Sequence, residues 1–414
     1  MFYLLIILYG LLNCYLVETN DGYKEPTIFL AIFARNKETS LPYFLTLLQD
    51  QDYPKNRIKL WIKTDHNVDK TVEIIETWIS NVTNLYHSVN LTIDDGNHLQ
   101  FDDEKGPTSW SLKRFKHLIE LKEKALNVAR ENWADFIFFL DCDVFLTDNE
   151  TFKYLVRQNH TVTGPMLKSI GLYSNFWCGM TSKYYYMRTD DYKPILKREK
   201  KGCFNVPMIH SALIINLNKY ESDYLTFNSS KIKNYNGPID DIITFALSAN
   251  YSGVSLHVCN EKLFGYVTLP LEAHEPLDYD KIIMKNLKVE ILVDNPPLKV
   301  NDIFNSYIPE KSLDKLGFDK IYMINLKRRP ERRIRMIETF NELELDVTVF
   351  DAVDGRTLTD EYLEELGIEF MPEYKDPYHK RAMTHGEIGC FFKSLFHLGK
   401  GFGKQIRFDN GIGR

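Results

Sequence analysis

The chain has 414 residues, of which 44% are hydrophobic and 26% are charged, the composition of an ordinary folded globular protein rather than a disordered or fibrous one. A chain of this length is expected to form two domains of unequal size. Its formal net charge of −6 gives no reason to expect nucleic acid as a partner, so an anionic ligand would have to be held by local groups or by a metal ion.

The amino terminus carries an apolar run, MFYLLIILYGLLNCYLV, that ends at Glu18. This run is too short to span a membrane comfortably, so we predict a cleaved signal peptide over residues 1–18, with a membrane anchor as the alternative. Several Asn-X-Ser/Thr triplets, which are acceptor sites for N-glycosylation, predict the same secretory route. The acceptor residues are Asn81, Asn90, Asn149, Asn159, Asn228 and Asn250.

The cysteines show neither a Cys-X-X-Cys motif nor a Cys/His spacing typical of zinc sites. After removal of the predicted signal peptide an odd number remains, which leaves room for one or two disulfides in an oxidising compartment. A bond between Cys178 and Cys203 is one hypothesis for the pairing.

From Pro26 onward, predicted strands and helices alternate. Buried strands are predicted at 27–34 and in the run FIFFL before Asp141, and further strands at 58–64 and 85–93. A long amphipathic helix from Ser111 to Trp133 precedes the fourth strand. Repeated βα units with short connections predict an α/β fold with a mostly parallel, doubly wound sheet, which binds ligands at the carboxyl ends of its strands.

The fourth predicted strand runs directly into two aspartates, Asp141 and Asp143, separated by one cysteine. At the carboxyl end of a strand, an Asp-X-Asp pair presents hard oxygen ligands to a divalent cation. Mn²⁺ or Mg²⁺ held there would neutralise a diphosphate that an acidic protein could not otherwise bind. The alternative is a turn or a helix cap built from Asp143 and Asp148.

Acidic residues also close the second and third predicted strands. Asp65 ends the second strand, where it would either cap the following helix or hydrogen-bond a base or ribose. Asp94 and Asp95 end the third strand, where a turn is the alternative to substrate binding.

Two adjacent aspartates, Asp240 and Asp241, precede an apolar helical run. Adjacent side chains cannot face the same way on a helix, so one is expected to cap the helix while the other faces the cleft. A displacement with inversion needs a carboxylate opposite the leaving group to take the proton of the acceptor. Either aspartate is a candidate for this catalytic base, and pure capping is the alternative.

Two single residues complete the predicted site. His274 in LEAHEP would supply a third metal ligand, and a surface or core histidine is the alternative. Trp177 in YSNFWCGM would stack on a sugar or an acceptor, and core packing is the alternative.

Residues 295–317 are polar and contain several prolines, which predicts a linker between an amino-terminal domain over 26–294 and a second domain over 318–414. The second domain begins with a strand, a helix and another strand. Its basic run NLKRRPERRIR predicts either a solvated helix face or a phosphate clamp, in which Arg329 and Arg332 add to the field of the helix N-terminus.

Six stretches, YSNFWCGM, FLDCDVF, DDII, GFDKIYMINLKRR, DAVDGRTL and DPYHKRAMTHGEIGC, together resemble the procollagen galactosyltransferases of glycosyltransferase family 25. The resemblance covers nearly the whole mature chain. It implies two modules of the GT-A type and transfer of galactose from UDP-galactose to hydroxylysine of collagen, with Mn²⁺, in the lumen of the endoplasmic reticulum. The implied partners are a UDP-sugar and collagen. The short apolar run predicts no stable membrane span, and the sequence leaves the oligomeric state open.

The resemblance also implies roles for single residues. Asp141 and Asp143 match the Asp-X-Asp motif of the amino-terminal module and would bind the metal ion and the diphosphate of UDP. Asp65 falls where GT-A folds commonly hold the uridine, and His274 falls where they commonly supply a third metal ligand.

The chain departs from the family after the GEIGC stretch, where family members continue with a helix, a strand and a second acidic metal motif. Here a divergent tail ends at Arg414 without a KDEL-type signal, so we expect an incomplete second module and no usual retention address. A truncated gene model or an alternative splice product would explain both departures.

Functions from different classes are consistent with these patterns. The first is an inverting, metal-dependent glycosyltransferase. The second is a catalytically impaired binding or adhesion protein of the secretory pathway that retains the sugar-nucleotide fold. A non-glycosyl nucleotidyltransferase is a third, against which the signal-like start argues. Titration with UDP and Mn²⁺ separates the first two, because a pure adhesion module should bind neither.

Overall fold

The structure, a computed structural model, describes residues 24–94, 100–365, 367 and 371–391. The predicted signal peptide, Asp95 and the tail beyond residue 391 lie outside these ranges. The chain divides into two compact units. The first comprises Met1–Glu290 and Leu298–Pro309, and the second comprises Ile291–Pro297 and Glu310–Arg414.

The strands and helices alternate through most of the first unit. In chain order the strands are β1 (Ile28–Ala34), β2 (Ile58–Asp65), β3 (Ser88–Asp94), β4 (Phe136–Leu140), β5 (Val144–Phe145), β6 (Val162–Pro165), β7 (Leu167–Lys168), β8 (Phe176–Trp177), β9 (Gly179–Met180), β10 (Tyr186–Met187), β11 (Cys203–Val206), β12 (Met208–Ile209), β13 (Ala212–Asn216), β14 (Leu256–Cys259), β15 (Gly265–Val267), β16 (Ile321–Asn325) and β17 (Val347–Asp351). The α-helices are α1 (Leu41–Gln49), α2 (Thr71–Val82), α3 (Leu112–Glu131), α4 (Thr151–Arg157), α5 (Tyr192–Leu196), α6 (Asp241–Tyr251), α7 (Tyr279–Ile291), α8 (Pro330–Glu342) and α9 (Asp360–Glu365).

The first unit is built on a sheet with the strand order β11-β14-β6-β13-β4-β1-β2-β3. Strands β1 to β3 pair in parallel, β1 also pairs in parallel with β4, and β6 pairs in parallel with β14. Strands β13 and β11 run antiparallel to their neighbours. The prediction of an α/β fold with a mostly parallel sheet is therefore confirmed, with antiparallel strands that the pattern did not reveal.

The sequence of the central strands explains their place in the sheet. Strand β1 reads IFLAIFA and β4 reads FIFFL, and both are apolar throughout and almost completely buried, as expected of strands covered on both faces. From β1 the chain proceeds through β2 to β3 on one side, and β4 then returns to the other side of β1. Ligands bind at such a reversal, outside the carboxyl ends of the strands.

Polar residues start the two helices that border the site. The Ser111 hydroxyl accepts a hydrogen bond from the Arg114 amide at 3.2 Å and begins α3. The Asp240 carboxylate accepts one from the Ile243 amide at 2.9 Å and begins α6. Each of these caps is worth about 1 kcal/mol and fixes the residue at which its helix begins.

A disulfide joins Cys203 to Cys259, so the hypothesis of a bond between Cys178 and Cys203 is wrong. The two bonded cysteines are directly opposite each other in the antiparallel pairing of β11 with β14, which puts their side chains on one face. They are 56 residues apart in the chain, so only the strand pairing reveals the bond. Cys178 is a half-buried free thiol.

The second unit contains a parallel pair of strands, β16 and β17, joined through α8. Pro330 occupies the first turn of this helix, where the missing amide hydrogen does no harm. A small apolar cluster of Leu358, Leu363 and Ile388 lies further along the unit. The predicted strand, helix and strand of this region are thus present.

Within the described residues, the helices are too short or too polar to cross a membrane.

Candidate functional site

A cavity of about 470 Å³ opens at the carboxyl ends of β1, β2 and β4, where the strand order reverses. The segment from Ala34 to Lys37 lines it after β1, Asp65 lines it at the end of β2, and the segment from Asp141 to Asp143 lines it after β4. Asp240 and Asp241 face the same space. The structure therefore brings Asp65, Asp141 and Asp143, which the sequence singled out at strand ends, to the same cavity as the aspartate pair before α6.

Asp141 is held by the segment that precedes β13. Its backbone amide donates to the Ser211 carbonyl oxygen at 2.8 Å. Burial raises the pKa of the Asp141 carboxyl to about 6, and the nearby Asp143 carboxylate adds to this effect, while the Lys122 ammonium opposes it. The site thus places negative charge where it is poorly solvated, which favours binding of a cation.

The Asp143 carboxylate already has a cationic partner. The Lys37 ammonium donates to its Oδ2 at 2.8 Å, and both side chains keep about a quarter of their surface accessible, at 27% and 23%. Burial lowers the pKa of Lys37, but the Asp143 and Asp280 carboxylates outweigh burial and raise it overall. The Lys37 side chain is therefore a positively charged group that lines the cavity.

These residues fit a divalent cation of the Mn²⁺ or Mg²⁺ type. Carboxylate oxygens are the ligands such ions prefer, and Mg²⁺ is usually held by one or two carboxylates together with substrate phosphates rather than by an all-protein cage. Among the described residues, no group of three His, Cys, Asp or Glu side chains is arranged to hold a metal. Asp141 and Asp143 would be the protein ligands.

His274 is exposed in the loop after β15. Leu271 and Leu277 on either side of it line the cavity, but His274 is not among the lining residues. A role for His274 as third ligand stays a prediction that the arrangement does not favour. Asp280, in the first turn of α7, lines the cavity instead.

Asp65 bridges two histidines. Its carboxylate oxygens lie 2.7 Å from His66 Nδ1 and 3.1 Å from His117 Nε2. Burial raises the pKa of Asp65, but hydrogen bonds from His117 and His66 more than offset this and lower it. The His66 ring stacks on Phe101, with ring centroids 4.2 Å apart. The end of the cavity near β2 therefore combines an ionised carboxylate with flat rings, which suits a nucleoside.

Asp240 and Asp241 have different environments. Asp241 accepts a hydrogen bond from the Lys122 ammonium at 2.5 Å, and their side chains are only 7% and 10% exposed. Asp240 caps α6 and is half-buried. Burial raises the pKa of Asp240, and the neighbouring Asp241 carboxylate raises it further. Asp240 thus both caps α6 and lines the cavity. The sequence predicted instead that one aspartate would cap the helix and the other would face the cleft.

The remaining predicted substrate-binding residues have mixed outcomes. Trp177 lines the cavity and packs against Tyr186, with ring centroids 5.1 Å apart. Asp94 is exposed at the end of β3, opposite Asp65 in the strand pairing, and is not among the lining residues. Asp95 lies outside the described residues.

Sequence reasoning missed several residues of the site. Lys37 follows β1, and the rule that strand ends carry the site could have found it. Lys122 lies in the middle of α3 on an apolar stripe, where a buried lysine needs a partner. Arg35 lines the cavity, and its two terminal guanidinium nitrogens donate to the buried Glu104 carboxylate at 2.9 and 2.7 Å. No local pattern predicts that ion pair, because its members are far apart in the chain.

The second unit contains its own cavity of about 520 Å³. Arg328 and Arg356 line it, and Arg328 donates to the Asp354 carboxylate at 2.6 Å. Arg329 lies within 3.5 Å of Glu331, and neither Arg329 nor the exposed Arg332 is among the lining residues. A phosphate clamp built from Arg329 and Arg332 therefore stays a prediction. The arginines that line the cavity are Arg328 and Arg356.

The predicted glycosylation acceptors differ in accessibility. Asn228 is half-buried, and its side chain accepts a hydrogen bond from the Ser230 amide at 2.9 Å. The other acceptors are exposed, and they are Asn81, Asn90, Asn149, Asn159 and Asn250. Asn228 is the least accessible of the set.

A cavity lined by carboxylates lies at the switch point of this α/β sheet, which is where sheets of this class bind their ligands. Comparison with known proteins gives the family. The model for the glycosyltransferase family 25 N-terminal domain matches residues 25–288, and that for glycosyltransferase family 25 (LPS biosynthesis protein) matches residues 318–395. The chain belongs to glycosyltransferase family 25, as its motifs indicated.

Curated relatives agree with this assignment. A glycosyltransferase 25 family member of Aedes aegypti is 47% identical over 395 residues, which cover 95% of this chain and 65% of the relative. Human procollagen galactosyltransferase 2 is 45% identical over 368 residues, 89% of this chain and 58% of the relative. The chain therefore spans less than two thirds of the length of these relatives.

Solved structures are similar only at a distance. S. aureus TarS in complex with UDP-GlcNAc has a TM-score of 0.38 and 16% identity, over 64% of this chain and 66% of that one. The mannosyltransferase PcManGT from Pyrobaculum calidifontis, in complex with GDP-Man and Mn²⁺, has a TM-score of 0.34 and 12% identity, over 73% and 74%. Similarities at such TM-scores do not establish a shared fold or function.

Proposed function

We propose that the first unit is an inverting, metal-dependent glycosyltransferase that transfers galactose from UDP-galactose to hydroxylysine of collagen. The observation that carries the proposal is the convergence of Asp65, Asp141 and Asp240 on one cavity at the switch point of the sheet. The donor and the acceptor are suggested by similarity to procollagen galactosyltransferases. A GT-A type fold and the division into domains at 26–294 and 318–414 are part of the same proposal.

The donor would bind along the edge formed by the ends of β2, β1 and β4. Asp65 and the Phe101 ring, which His66 supports by stacking, suit the uridine, because a carboxylate can accept from ribose hydroxyls and the ring offers a flat surface. Asp141 and Asp143 would hold Mn²⁺ or Mg²⁺, which would neutralise the charge of the leaving diphosphate.

The transfer step would use Asp240 as the base. The acceptor hydroxyl oxygen attacks C1 of the sugar as the bond from C1 to the diphosphate oxygen breaks, and the hydroxyl proton passes to Asp240. The raised pKa of Asp240 makes it a stronger base than an exposed aspartate. Asp241 is less suited to this role, because the Lys122 ammonium already occupies its carboxylate.

An oxidising compartment is supported by the bond between Cys203 and Cys259, since disulfides persist in the secretory pathway and are rare in the cytosol. Together with the predicted signal peptide and the exposed glycosylation acceptors, this supports the lumen of the endoplasmic reticulum as the location.

The first test is binding of UDP measured by calorimetry with and without Mn²⁺. We expect UDP to bind only with Mn²⁺, and we expect Asp143→Asn to weaken that binding by about 100-fold, as for loss of a charged partner in a buried site. Asp52→Asn is the matched control, because this carboxylate is exposed and lies outside the cavity. Equal UDP affinity in the presence of a chelator would contradict the proposal, and binding of neither ligand would favour an adhesion protein.

The second test concerns the base. Asp240→Asn should keep Mn²⁺-dependent UDP binding and reduce galactose transfer to a collagen peptide with hydroxylysine by about 100-fold or more, within the range of general base catalysis. Comparison of UDP-galactose with UDP-glucose in the same assay identifies the donor. If Asp240→Asn keeps the rate while a stably folded Asp241→Asn loses it, the base is Asp241.

A further inference from the structure

We propose that the hairpin formed by β9 and β10 is a docking surface for the acceptor. The surface fits an extended, proline-rich chain whose hydroxylysine side chain enters the cavity, while the Tyr185 ring packs against prolines beside the hydroxylysine. This inference rests on the proposed function, to which it adds the place where the acceptor binds and the conformation in which it binds.

The hairpin borders the cavity. Trp177 in β8 lines the cavity, and its ring centroid lies 5.1 Å from that of Tyr186 in β10. Strand β10 pairs antiparallel with β9, and a single residue separates β9 from β8. Aromatic rings therefore lead from the wall of the cavity to the hairpin, so a chain that lies on the hairpin can direct one side chain into the cavity.

The outer face of the hairpin is apolar and exposed. Tyr185 is 71% exposed and Met187 is 43% exposed, whereas Tyr186 between them is half-buried. Alternate side chains of an extended segment point to opposite faces, so the exposed ring and the exposed thioether share one face. Methionine and aromatic side chains are enriched at binding surfaces, because they offer a large contact area.

The turn that carries Tyr185 is fixed. The Thr181 amide donates to the Tyr185 carbonyl oxygen at 2.9 Å, and the Tyr185 amide donates to the Thr181 hydroxyl at 3.0 Å. The Tyr184 hydroxyl donates to the side-chain oxygen of Asn236 at 2.8 Å, four residues before Asp240. The turn is thus tied to the segment that carries the proposed base, and its order lowers the entropy cost of binding a chain.

The chemistry of this surface favours a proline-rich chain over a strongly charged partner. A chain in the polyproline II conformation is extended before it binds, and aromatic surfaces recognise it through its proline rings. Collagen sequences have this conformation. The charges near the turn balance, because two cations, Lys183 and Arg188, are matched by two carboxylates, Asp190 and Asp191. Such a surface does not attract an anionic membrane or a nucleic acid.

The first measurement is binding of a fluorescently labelled peptide to the whole protein, followed by fluorescence anisotropy without UDP or metal. The peptide consists of Gly-Pro-Pro repeats with one central hydroxylysine. Tyr185→Ala should weaken its binding about tenfold, as expected of an aromatic residue that anchors an interface. Tyr185→Phe should bind within about twofold of the unaltered protein, because it keeps the flat ring.

Tyr220→Ala is the matched control. Tyr220 is 72% exposed, as much as Tyr185, but it follows the end of β13. The last residue of β13, Asn216, pairs with Phe136 at the start of β4, so Tyr220 lies toward the edge of the sheet opposite the cavity. Tyr220→Ala should change the affinity for the peptide by less than about twofold.

Transfer to two acceptors separates docking from catalysis and from folding. With the repeat peptide, Tyr185→Ala should raise KM about tenfold and leave kcat unchanged. With free hydroxylysine, which has no flanking prolines, the same variant should transfer galactose as fast as the unaltered protein. A variant that is poorly folded would lose transfer to both acceptors and would also lose UDP binding.

Each outcome supports or refutes the docking surface. If Tyr185→Ala and Tyr220→Ala bind the repeat peptide equally well, or if the unaltered protein does not bind it, the proposal is refuted. If a Gly-Ser repeat peptide with hydroxylysine binds as tightly and depends on Tyr185 to the same degree, the surface does not select a proline-rich chain. Peptide binding that depends on Tyr185 without any galactose transfer would support the docking surface and contradict the glycosyltransferase, so the two proposals fail separately.

Discussion

The two units place charge in opposite surroundings. In the first, the central strands are covered on both faces, and Lys122 and Asp241 form an ion pair whose side chains are 10% and 7% exposed. In the second, β17 is half-exposed, and Arg333 of α8 lies 3.6 Å from Asp351 at its end, with side chains 44% and 45% exposed. Both pairs join a helix cation to an aspartate, but water can reach only the second.

This difference shows that the cost of losing one member of an ion pair depends on burial. A buried charge depends on its partner, because water cannot replace the partner when it is lost. An exposed pair gains little from its partner, because water solvates both groups. In the cavity of the first unit, burial raises the pKa values of Asp141 and Asp240, and carboxylates raise that of Lys37. Buried groups with shifted pKa values in a cleft are candidates for a functional site.

The largest expected effect concerns the buried pair. Lys122→Met keeps the length and apolar volume of the side chain but leaves the Asp241 carboxylate buried without its partner. We expect the free energy of unfolding to fall by about 3–5 kcal/mol, the usual result of breaking a buried ion pair on one side. Urea denaturation followed by circular dichroism measures it. Adding Asp241→Asn to this variant should restore most of the loss.

Arg333→Met is the counterpart in the second unit. It removes a cation from an exposed pair between a helix and a strand end, so we expect a change of less than about 1 kcal/mol. If Lys122→Met and Arg333→Met reduce the free energy of unfolding equally, the comparison fails, because burial then does not determine how much an ion pair contributes to stability.

The alternation of strands and helices could be predicted because buried strands with apolar runs and amphipathic helices leave periodic patterns. Asp65, Asp141 and Asp240 were found for a related reason: each follows or precedes a regular element, and parallel strands bring their carboxyl ends together. The three aspartates line one cavity, as expected from their positions at the ends of regular elements. Their chemical roles are proposals.

What could not be predicted depends on contacts between distant segments. The Cys203–Cys259 bond requires the antiparallel pairing of β11 with β14, which no local pattern encodes. Lys122 looked like an ordinary helix residue, and only the fold places it against Asp241 from a segment 119 residues away. Metal ligation by His274 was expected from the family, and the loop leaves that side chain exposed.

A smaller effect is expected from the histidine at the nucleoside end of the cavity. The hydrogen bond to Asp65 raises the pKa of His117, with burial acting against it. A histidine whose pKa is higher in the folded state stabilises the fold fully below its unfolded pKa of about 6.5, and loses that contribution as the pH rises through the folded value. The lowered pKa of Asp65 keeps its own contribution present down to acidic pH.

His117→Gln should therefore reduce the free energy of unfolding by about 1 kcal/mol at pH 5.5, the upper end for a partly solvated charged pair, and by clearly less at pH 9. Urea denaturation at the two pH values measures the difference. His385→Gln is the counterpart in the second unit, where His385 lies 2.9 Å from Asp360 and the two side chains are 38% and 80% exposed. At pH 5.5 it should reduce the free energy of unfolding by less than His117→Gln does, because water screens that pair. A loss for His117→Gln that is the same at both pH values would mean that ring packing rather than charge holds His117 against Asp65.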